Sequence, residues 1–533
     1  MSHVLAISGM HISYVVIGIQ AILNKLINNK KLKNYILILI LAFFAIITGA
    51  SSSCVRACIM SAMLLISQNF YRKNNFYVTI LITFMILLFM NPYNIFSVGM
   101  WLSFGGTLGI VLFQKFFKRF LECKFKIKSK LFNSFLDIVL VSVSAQILIL
   151  PIMIYCFNSV SLTFFISNLL IYFLVGPILA LGYISLIIGM LILPVGNFIA
   201  ILENFLIFLI FKIAEICSKI PFSKILVVTP NFWMMFFYYV VISGIIFLFH
   251  TKKYKFLRFI LENGMTSFFK KYQTKIISSI LILILTINII KVVPKSLKIH
   301  FVDVGQGDCT VLQTSGGKNI IIDGGNNQKY DYGKNVVVPY LLDRKIKKID
   351  YLMVSHFDSD HCGGLFEVVN ELKVKNIIIG KQEKSYENCE KFLALAKLKK
   401  VNVIIVEAGD MIKIDKNTRF DILWPDSKKM FNDSNNGINN NSITARLVYG
   451  KFTMLFTGDI EAMAEEEIVK MYQNSNSLDV DILKVAHHGS KSSSIDEIVE
   501  KVTPKISIIG VGADNKYGHP NKDVINRLEN IRK

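Results

Sequence analysis

Acidic residues are scarce over the first 294 positions, where Glu122, Asp137, Glu203, Glu215 and Glu262 are the only five, against 25 Lys and Arg. No apolar run carries an array of carboxylates, which argues against a proton-coupled pump. Cysteine offers no framework: there are eight, without a CxxC pair, and the three beyond residue 294 (Cys309, Cys362 and Cys389) are odd in number. Neither a zinc knuckle nor a disulfide scaffold can be read from them, and small buried hydrophobes is their ordinary role. A cleavable secretory signal is not recognisable, so internal segments are expected to do the targeting. The remaining 34 Lys and Arg and 32 acids follow residue 294, leaving nearly all of the formal net charge of +22 in the first half. That division excludes a single soluble globular domain, a disordered chain and a wholly basic nucleic-acid-binding protein.

What the first half does contain is apolar sequence in runs long enough to cross a hydrocarbon layer, which takes roughly 20 helical residues. The runs lie near 4–23, 35–49, 54–68, 76–91, 95–114, 135–157, 160–193, 198–213, 232–249 and 275–293. Nine to eleven crossings are expected, with 160–193 divided at Gly176-Pro177 into two short or re-entrant segments. Backbone in lipid must be satisfied within the segment, and the runs show no alternation, so they are helices. Basic clusters punctuate them: Lys25, Lys30, Lys31 and Lys33; Arg72 and Lys73; seven residues between Lys115 and Lys130; and six between Lys252 and Lys271. By the positive-inside rule these face the cytoplasm, and a final span at 275–293 puts everything after it on the extracytoplasmic side. His3, His11 and Arg56, the last beside Ser51, Ser52, Ser53 and Cys54, are polar groups within these runs. They are functional candidates, although capping helix ends or bonding across helices is the commoner use. A bundle so poor in acids and so basic at its edges tolerates a polyanion.

Beyond Pro294 short β-branched runs alternate with charged helical stretches. Strands are expected near 297–304, 309–313, 318–323, 349–354, 376–379, 402–406, 419–424, 443–449, 452–457, 481–486 and 505–511. Helices are expected near 363–372, 387–399, 461–472, 494–501 and 521–531. Two runs of strands, each punctuated by helices, suit an α/β fold of two packed sheets with helices outside, an αββα sandwich, and about 240 residues can bury such a core. The expected domains are therefore 1–294, a polytopic α-helical membrane domain, and 295–533, a hydrolase-like domain.

The strand Ile349–Val354 runs into Ser355-His356-Phe357-Asp358-Ser359-Asp360-His361-Cys362-Gly363-Gly364, which holds four potential metal ligands within six residues. Their mutual repulsion and desolvation call for a cation, and a strand-end loop followed by a glycine pair opening a helix can aim them at one point. His356-x-Asp358-x-Asp360-His361 resembles the HxHxDH signature of the metallo-β-lactamase superfamily, with Asp358 where a histidine is usual. The resemblance implies two metal ions, His356 and Asp358 serving the first, Asp360 and His361 the second. Phe456-Thr457-Gly458-Asp459 is similar to the superfamily's later strand end, whose aspartate bridges the ions. Lys484-Val485-Ala486-His487-His488-Gly489-Ser490-Lys491 is similar to the HHGS motif of one branch, with His487 the expected ligand and His488 in a supporting position. The usual intermediate histidine is replaced by Asn439-Asn440-Asn441-Ser442. The carboxylate-rich set favours Mn²⁺ or Mg²⁺ relative to a typical zinc site, with Zn²⁺ also open. Paired ions suit in-line displacement at phosphorus, with Asp360 catalytic and Lys491 placed to stabilise charge or a phosphate. His519, in Tyr517-Gly518-His519-Pro520, is a further candidate for a ligand or phosphate contact. Val304-Gly305-Gln306-Gly307-Asp308 resembles the VGQGD segment of the same branch, giving Asp303, Asp308 and, at the next strand end, Asp323 as residues that orient ligand histidines.

A membrane half joined to such a domain resembles the ComEC-type DNA-uptake proteins of competent bacteria. Val4-Leu5-Ala6-Ile7-Ser8-Gly9-Met10-His11-Ile12 is similar to that family's LAISGLHI segment, Trp101-Leu102-Ser103-Phe104 to its QLSF motif, and Leu150–Asn158 with Ser167-Asn168-Leu169-Leu170 to its apolar hairpin. The likeness covers nearly the whole chain. The family has earlier spans and an N-terminal OB-like domain, so Met1 is expected to be the edge of a truncated gene or a mis-assigned start. The resemblance implies a multi-pass cell-membrane protein that passes one DNA strand into the cytoplasm while an extracytoplasmic metal-dependent nuclease degrades the other. Its implied partners are DNA, membrane lipid, other competence-machinery proteins and, in a homo-oligomer, a second copy. The alternatives are a membrane-anchored phosphodiesterase or esterase of small substrates, and a transport protein whose hydrolase-like domain is inactive.

Overall fold

The computed structural model describes residues 9–124, 129–250, 296–325, 330–382, 386–513 and 515–530. His3, residues 4–8 of the first apolar run, Lys126 and Lys128, the basic cluster of 252–271 and the run 275–293 lie outside the described residues. The chain divides into two compact units, Met1–Lys252 and Lys253–Lys533.

In the first unit the apolar runs form helices α1 (Gly9–Leu26), α2 (Lys30–Ile47), α3 (Ser52–Asn69), α4 (Phe76–Met90), α5 (Val98–Lys124), α6 (Lys130–Phe157), α7 (Phe164–Leu191), α8 (Leu193–Lys219) and α9 (Phe232–His250). Val98–Lys118, Phe132–Phe157 and Phe164–Leu191 are long and apolar enough to cross a membrane, while His11–Leu26, Phe76–Met90 and Phe232–Gly244 are shorter apolar helices. Side-chain oxygens start several of them: Asn29 accepts from Lys31 and Leu32, Asn75 from Tyr77, and Ser129 from Phe132. Two short strands, β1 (Ser159–Val160) and β2 (Ile225–Leu226), pair antiparallel and bring the α6–α7 and α8–α9 connections together.

The expected division of 160–193 does not occur, because α7 continues through Pro177 for 28 residues. One proline removes one N–H, whereas ending the helix there would strand several polar backbone groups in apolar surroundings. Helix α6 also contains a proline, Pro151, whose missing N–H frees the carbonyl of Ile147 four residues earlier. Tyr238 of α9 donates its hydroxyl to that oxygen at 2.7 Å, and Tyr239 donates to the neighbouring Leu148 carbonyl at 2.9 Å. The same economy joins α2 to α3, where buried Asn34 donates to Asn69 at 2.7 Å.

The second unit is an αββα sandwich. Its first sheet contains β3 (Lys298–Phe301), β4 (Thr310–Gln313) and β5 (Asn319–Ile322), then, after α10 (Val338–Asp343), β6 (Lys348–Val354), α11 (Ser359–Glu371), β7 (Lys373–Gly380), α12 (Glu387–Leu398) and β8 (Asn402–Val406). Its second contains β9 (Met411–Lys413), β10 (Thr418–Trp424), α13 (Gly437–Asn440), β11 (Thr444–Tyr449), β12 (Phe452–Phe456), α14 (Ala462–Met471), β13 (Ile482–Lys484), α15 (Asp496–Val502), β14 (Ile506–Ile508) and α16 (Lys522–Asn530). The strand orders are β3-β4-β5-β6-β7-β8 and β14-β13-β12-β11-β10-β9, with β5 to β8 mutually parallel and β12 to β14 likewise. Leu312, Ile320 and Met353 from one sheet meet Phe420, Leu447 and Met454 from the other in the central core. Alternate residues such as Leu455 and Leu483 turn the other way, onto Ile468 of α14 and Val499 of α15. The parallel strands of both sheets end in loops that carry the histidines and aspartates.

The short helices α10 and α13 were not expected, and two further details depart from the pattern reading. The three-residue edge strand β9 was not expected, being too short for alternation to register. Helix α11 begins at Ser359, so Gly363 and Gly364 lie inside it rather than opening it. Close packing explains the glycines: a Cβ on Gly364 would sit 2.1 Å from the Gly324 carbonyl oxygen.

Replacing Tyr238 with Phe leaves the Ile147 carbonyl without a donor, so the full chain in detergent should lose roughly 1–2 kcal/mol of stability. Thermal unfolding measures this, with the half-exposed Tyr77→Phe as a control that stays unchanged. Glu465, on α14, is 1% exposed and burial pushes its carboxyl up from 4.5 to about 7, against two backbone N–H donors, Ser494 at 2.7 Å and Ile495 at 2.9 Å. The native state therefore keeps a proton that the unfolded chain releases. Its contribution is complete below pH 4.5 and is lost as pH rises to about 7, by about 3 kcal/mol in all. Glu465→Gln should gain stability relative to wild type across that interval in denaturant titrations of the second unit's transition.

Candidate metal centre

The cluster is built at the carboxyl ends of the parallel strands. Strand β6 delivers Ser355, His356 and Asp358, and the first turn of α11 carries Asp360 and His361. Strand β5 delivers Asp323, whose backbone is left-handed at φ 57°, a conformation that non-glycine residues seldom adopt without a reason in the surrounding contacts. Strand β12 delivers Asp459 and β13 leads to His487 and His488.

Asp323 governs the orientation of this cluster. One carboxylate oxygen accepts from the Ser355 N–H at 2.8 Å; the other accepts from the Ser355 hydroxyl at 2.7 Å and lies 2.9 Å from Nδ1 of His361. Because a carboxylate can only accept, His361 Nδ1 carries the proton and its Nε2 presents a lone pair. His488 is set the same way: its Nδ1 lies 2.7 Å from the Gly510 carbonyl oxygen, another pure acceptor. The two Nε2 atoms are 3.3 Å apart. Asp459 Oδ2 lies 3.2 Å from the first and 3.4 Å from the second, and Asp360 Oδ2 is 3.5 Å from His488 Nε2.

Two imidazole nitrogens and two carboxylates thus converge with no hydrogen between them, an arrangement that demands either protons or a cation. As protonated groups they titrate accordingly. Burial lowers His488, yet Asp459 and Asp360 overcome it and hold the ring up to about 10; His361 is raised well above its usual range by Asp459 and Asp323, again against burial. Burial would raise Asp360, but His488 and His361 hold it down to about 2. Asp308, His361, Asp459 and His488 are all buried and offer ligand atoms within 4.8 Å of one another. The donor set fits a divalent cation in chemistry and in convergence.

Beside this group lies a thinner one. His356 is fully buried, its ring 4.2 Å from that of His361, with Nδ1 3.0 Å from the Ser355 hydroxyl and Nε2 without a hydrogen-bond partner. Asp358 Oδ2 is 3.8 Å from that Nε2 but its side chain is 44% exposed. The Oδ1 of Asp459 is likewise buried and unpartnered.

Of the other expected site residues, the structure brings some in and leaves others out. His488, not His487, joins the four-residue group. Both have left-handed backbones, φ 55° and 47°, and the double turn sends His488 inward and His487 to the rim, 4.0 Å from Asp459 and 3.3 Å from Glu461. His519 stands at the same rim, its ring 5.8 Å from that of His487. Asp308 is held by Lys484 at 2.5 Å and lies 3.7 Å from His488 Nδ1. Asp303 is exposed and accepts from Gly305 N–H within its own turn. Asn441 is buried, but its carboxamide is spent on both backbone groups of Phe431. Lys491 is exposed, outside the cluster. Pattern reading did not single out Ser355, Glu461 or Lys484. Lys484 was detectable, since a lysine in the apolar strand Ile482-Leu483-Lys484-Val485 needs a carboxylate if it is buried.

Comparison with known proteins places both units. Residues 1–252 match the competence protein family and residues 302–512 the metallo-beta-lactamase superfamily. ComE operon protein 3 of Bacillus subtilis is 26% identical over 543 residues, covering 99% of this chain and 65% of that protein. Competence protein ComA of Neisseria gonorrhoeae is 29% identical over 226 residues, 42% of this chain and 28% of its own length. Recombination protein 2 of Haemophilus influenzae is 24% identical over 567 residues, covering 100% of this chain and 66% of that protein. The chain thus spans less than two thirds of these relatives.

If Asp323 sets His361 as described, Asp323→Ala should weaken binding of Mn²⁺ or Zn²⁺ by about 10- to 100-fold in metal titrations of the full chain, whereas Asp303→Ala should leave it unchanged.

Proposed function

We propose, from the chain's membership of the competence proteins that carry a metallo-beta-lactamase domain, that it is a DNA-uptake protein whose second unit is a metal-dependent nuclease. The observation that carries the enzymatic part is the convergence of His361, His488, Asp459 and Asp360 without a shared hydrogen. These four would hold one divalent cation. His356, Asp358 and the free oxygen of Asp459 would hold a second, which the orphaned His356 Nε2 supports. Mn²⁺ or Zn²⁺ suits the mixture of imidazole and carboxylate, and Mg²⁺ its oxygen-rich side. Such ions, when bound, supply positive charge to phosphoryl oxygens and acidify water. The protein's own groups do the rest: Asp323, Gly510 and Asp308 keep the rings aimed, His487 and His519 line the rim where a phosphodiester would approach, and exposed Lys491 offers a positive charge beyond it.

The basic clusters at the α1–α2, α3–α4 and α5–α6 connections support a cytoplasmic placement of those turns, and the β1–β2 pairing supports placing the α6–α7 and α8–α9 turns together on the other side. On this reading the nuclease faces outward and meets DNA, with lipid, other competence proteins and a second copy as further partners. One observation favours a transport protein with an inactive domain: Asn441 and Ser442 stand where a third histidine would complete the second ion's ligands, and Asn441 is committed to Phe431.

Labelled single-stranded DNA incubated with the full chain and Mn²⁺ or Zn²⁺ separates these readings. The nuclease should cut, and Asp459→Asn and Asp360→Ala should each reduce the rate by more than about 100-fold, the upper end of what losing a mere orienting residue costs. Wild type and both variants equally inert, with no metal retained by any, would leave only the transport reading.

A further inference from the structure

Arg56, on the first turns of α3, is 7% exposed among α1, α3 and α5. One guanidinium nitrogen, Nη1, donates to the Thr107 hydroxyl of α5 and lies 3.9 Å from the Met60 sulfur. The Phe104 ring is 5.8 Å from the guanidinium carbon. Its Nε is buried and has no hydrogen-bond partner among the described residues. No carboxylate can reach it from α1 to α4 or from the neighbouring part of α5, because Glu122 is the first acid in the sequence, fifteen residues and about 22 Å of helix beyond Thr107. Among the described acids further along, Asp137 pairs with Lys118, Glu215 with Lys212 and Lys219, and the Glu203 carboxylate lies against Gly182 of α7. Next to Arg56 the Ser53 and Ser103 hydroxyls meet at 3.0 Å.

A desolvated cation without a counter-charge is costly wherever it is buried, and most of all within an apolar bundle. A guanidinium with a free Nε edge matches the geometry of a phosphate; of the Ser53 and Ser103 hydroxyls, one keeps a proton to donate to the same oxygens, while Thr107, whose proton goes to the Ser103 carbonyl at 2.8 Å, holds the guanidinium in place. We infer that Arg56, with Ser53, Ser103 and Thr107, forms a phosphodiester-binding site inside the helical unit that grips the backbone of a passing nucleic-acid strand. An anion site follows from the unpaired charge alone; its assignment to nucleic acid rests on the DNA-uptake reading. Burial among three helices favours a threaded strand over a lipid headgroup, which would meet an arginine on the bundle's outer surface.

The test uses the full chain in nanodiscs and a single-stranded oligothymidylate carrying a photoreactive group on one phosphate, with cross-linked peptides mapped afterwards. Wild type should cross-link within residues 51–69 and 98–118. Arg56→Gln should lower that yield about tenfold, Arg56→Lys should retain part of it, and raising the salt should suppress it. Cross-links within 296–533 should be unchanged by either variant. Thermal unfolding identifies any folding defect, and yields are compared per folded protein. Equal yields from wild type and Arg56→Gln, or none in the first unit while the second is labelled, would overturn the inference and spare the nuclease. Labelling nowhere would overturn both. A photoreactive phosphatidylglycerol captured in an Arg56-dependent way, with no oligonucleotide captured there, would reassign the site to lipid.

Discussion

Where two ring protons go decides what the second unit can do. Asp323 takes the one on His361 and the Gly510 carbonyl takes the one on His488, so both rings point bare nitrogens at the same few ångströms of space. Neither arrangement is cheap in backbone terms. Asp323, His487 and His488 all adopt left-handed conformations, and the loop after β5 fits under α11 only because Gly324 and Gly364 lack side chains. The tight packing and the strained turns hold two bare imidazole nitrogens against the carboxylates of Asp459 and Asp360.

Much of this was legible beforehand, for physical reasons that differ from residue to residue. The cluster His356, Asp358, Asp360 and His361 stands out because that many ionisable groups at a strand end cannot be neutral surface decoration. Which of two adjacent histidines turns inward could not be read, because it depends on two consecutive residues with positive φ, a choice that local preference argues against. The Asn441 position drew attention as the place of an absent histidine, yet its side chain closes a loop onto Phe431. Both sheets were visible from alternation, apart from β9 at three residues. The uninterrupted α7 ran against proline's usual effect because apolar surroundings penalise a break more than a single missing hydrogen bond.

The helical unit solves its polar problems with neutral groups. Tyrosines complete carbonyls around Pro151, an asparagine pair links α2 to α3, and hydroxyls of Ser53 and Ser103 satisfy each other. With no acid before Glu122, α1 to α4 contain no carboxylate to pair with, and the ion pairs of Asp137 with Lys118 and of Glu215 with Lys212 and Lys219 lie further along the unit. Against that background Arg56 stands apart, a full charge buried where α1 to α4 supply no carboxylate.

The donor set is shared between the two sheets: Asp323, His356, Asp360 and His361 come from the first, Asp459 and His488 from the second. Roughly a hundred residues of chain separate His361 from Asp459, so neither half owns a complete set. The first sheet alone carries only part of the grip, and the ring that closes it, His488, comes from the second. A half-made domain therefore cannot gather the donor set, which is complete only once the two sheets have packed together.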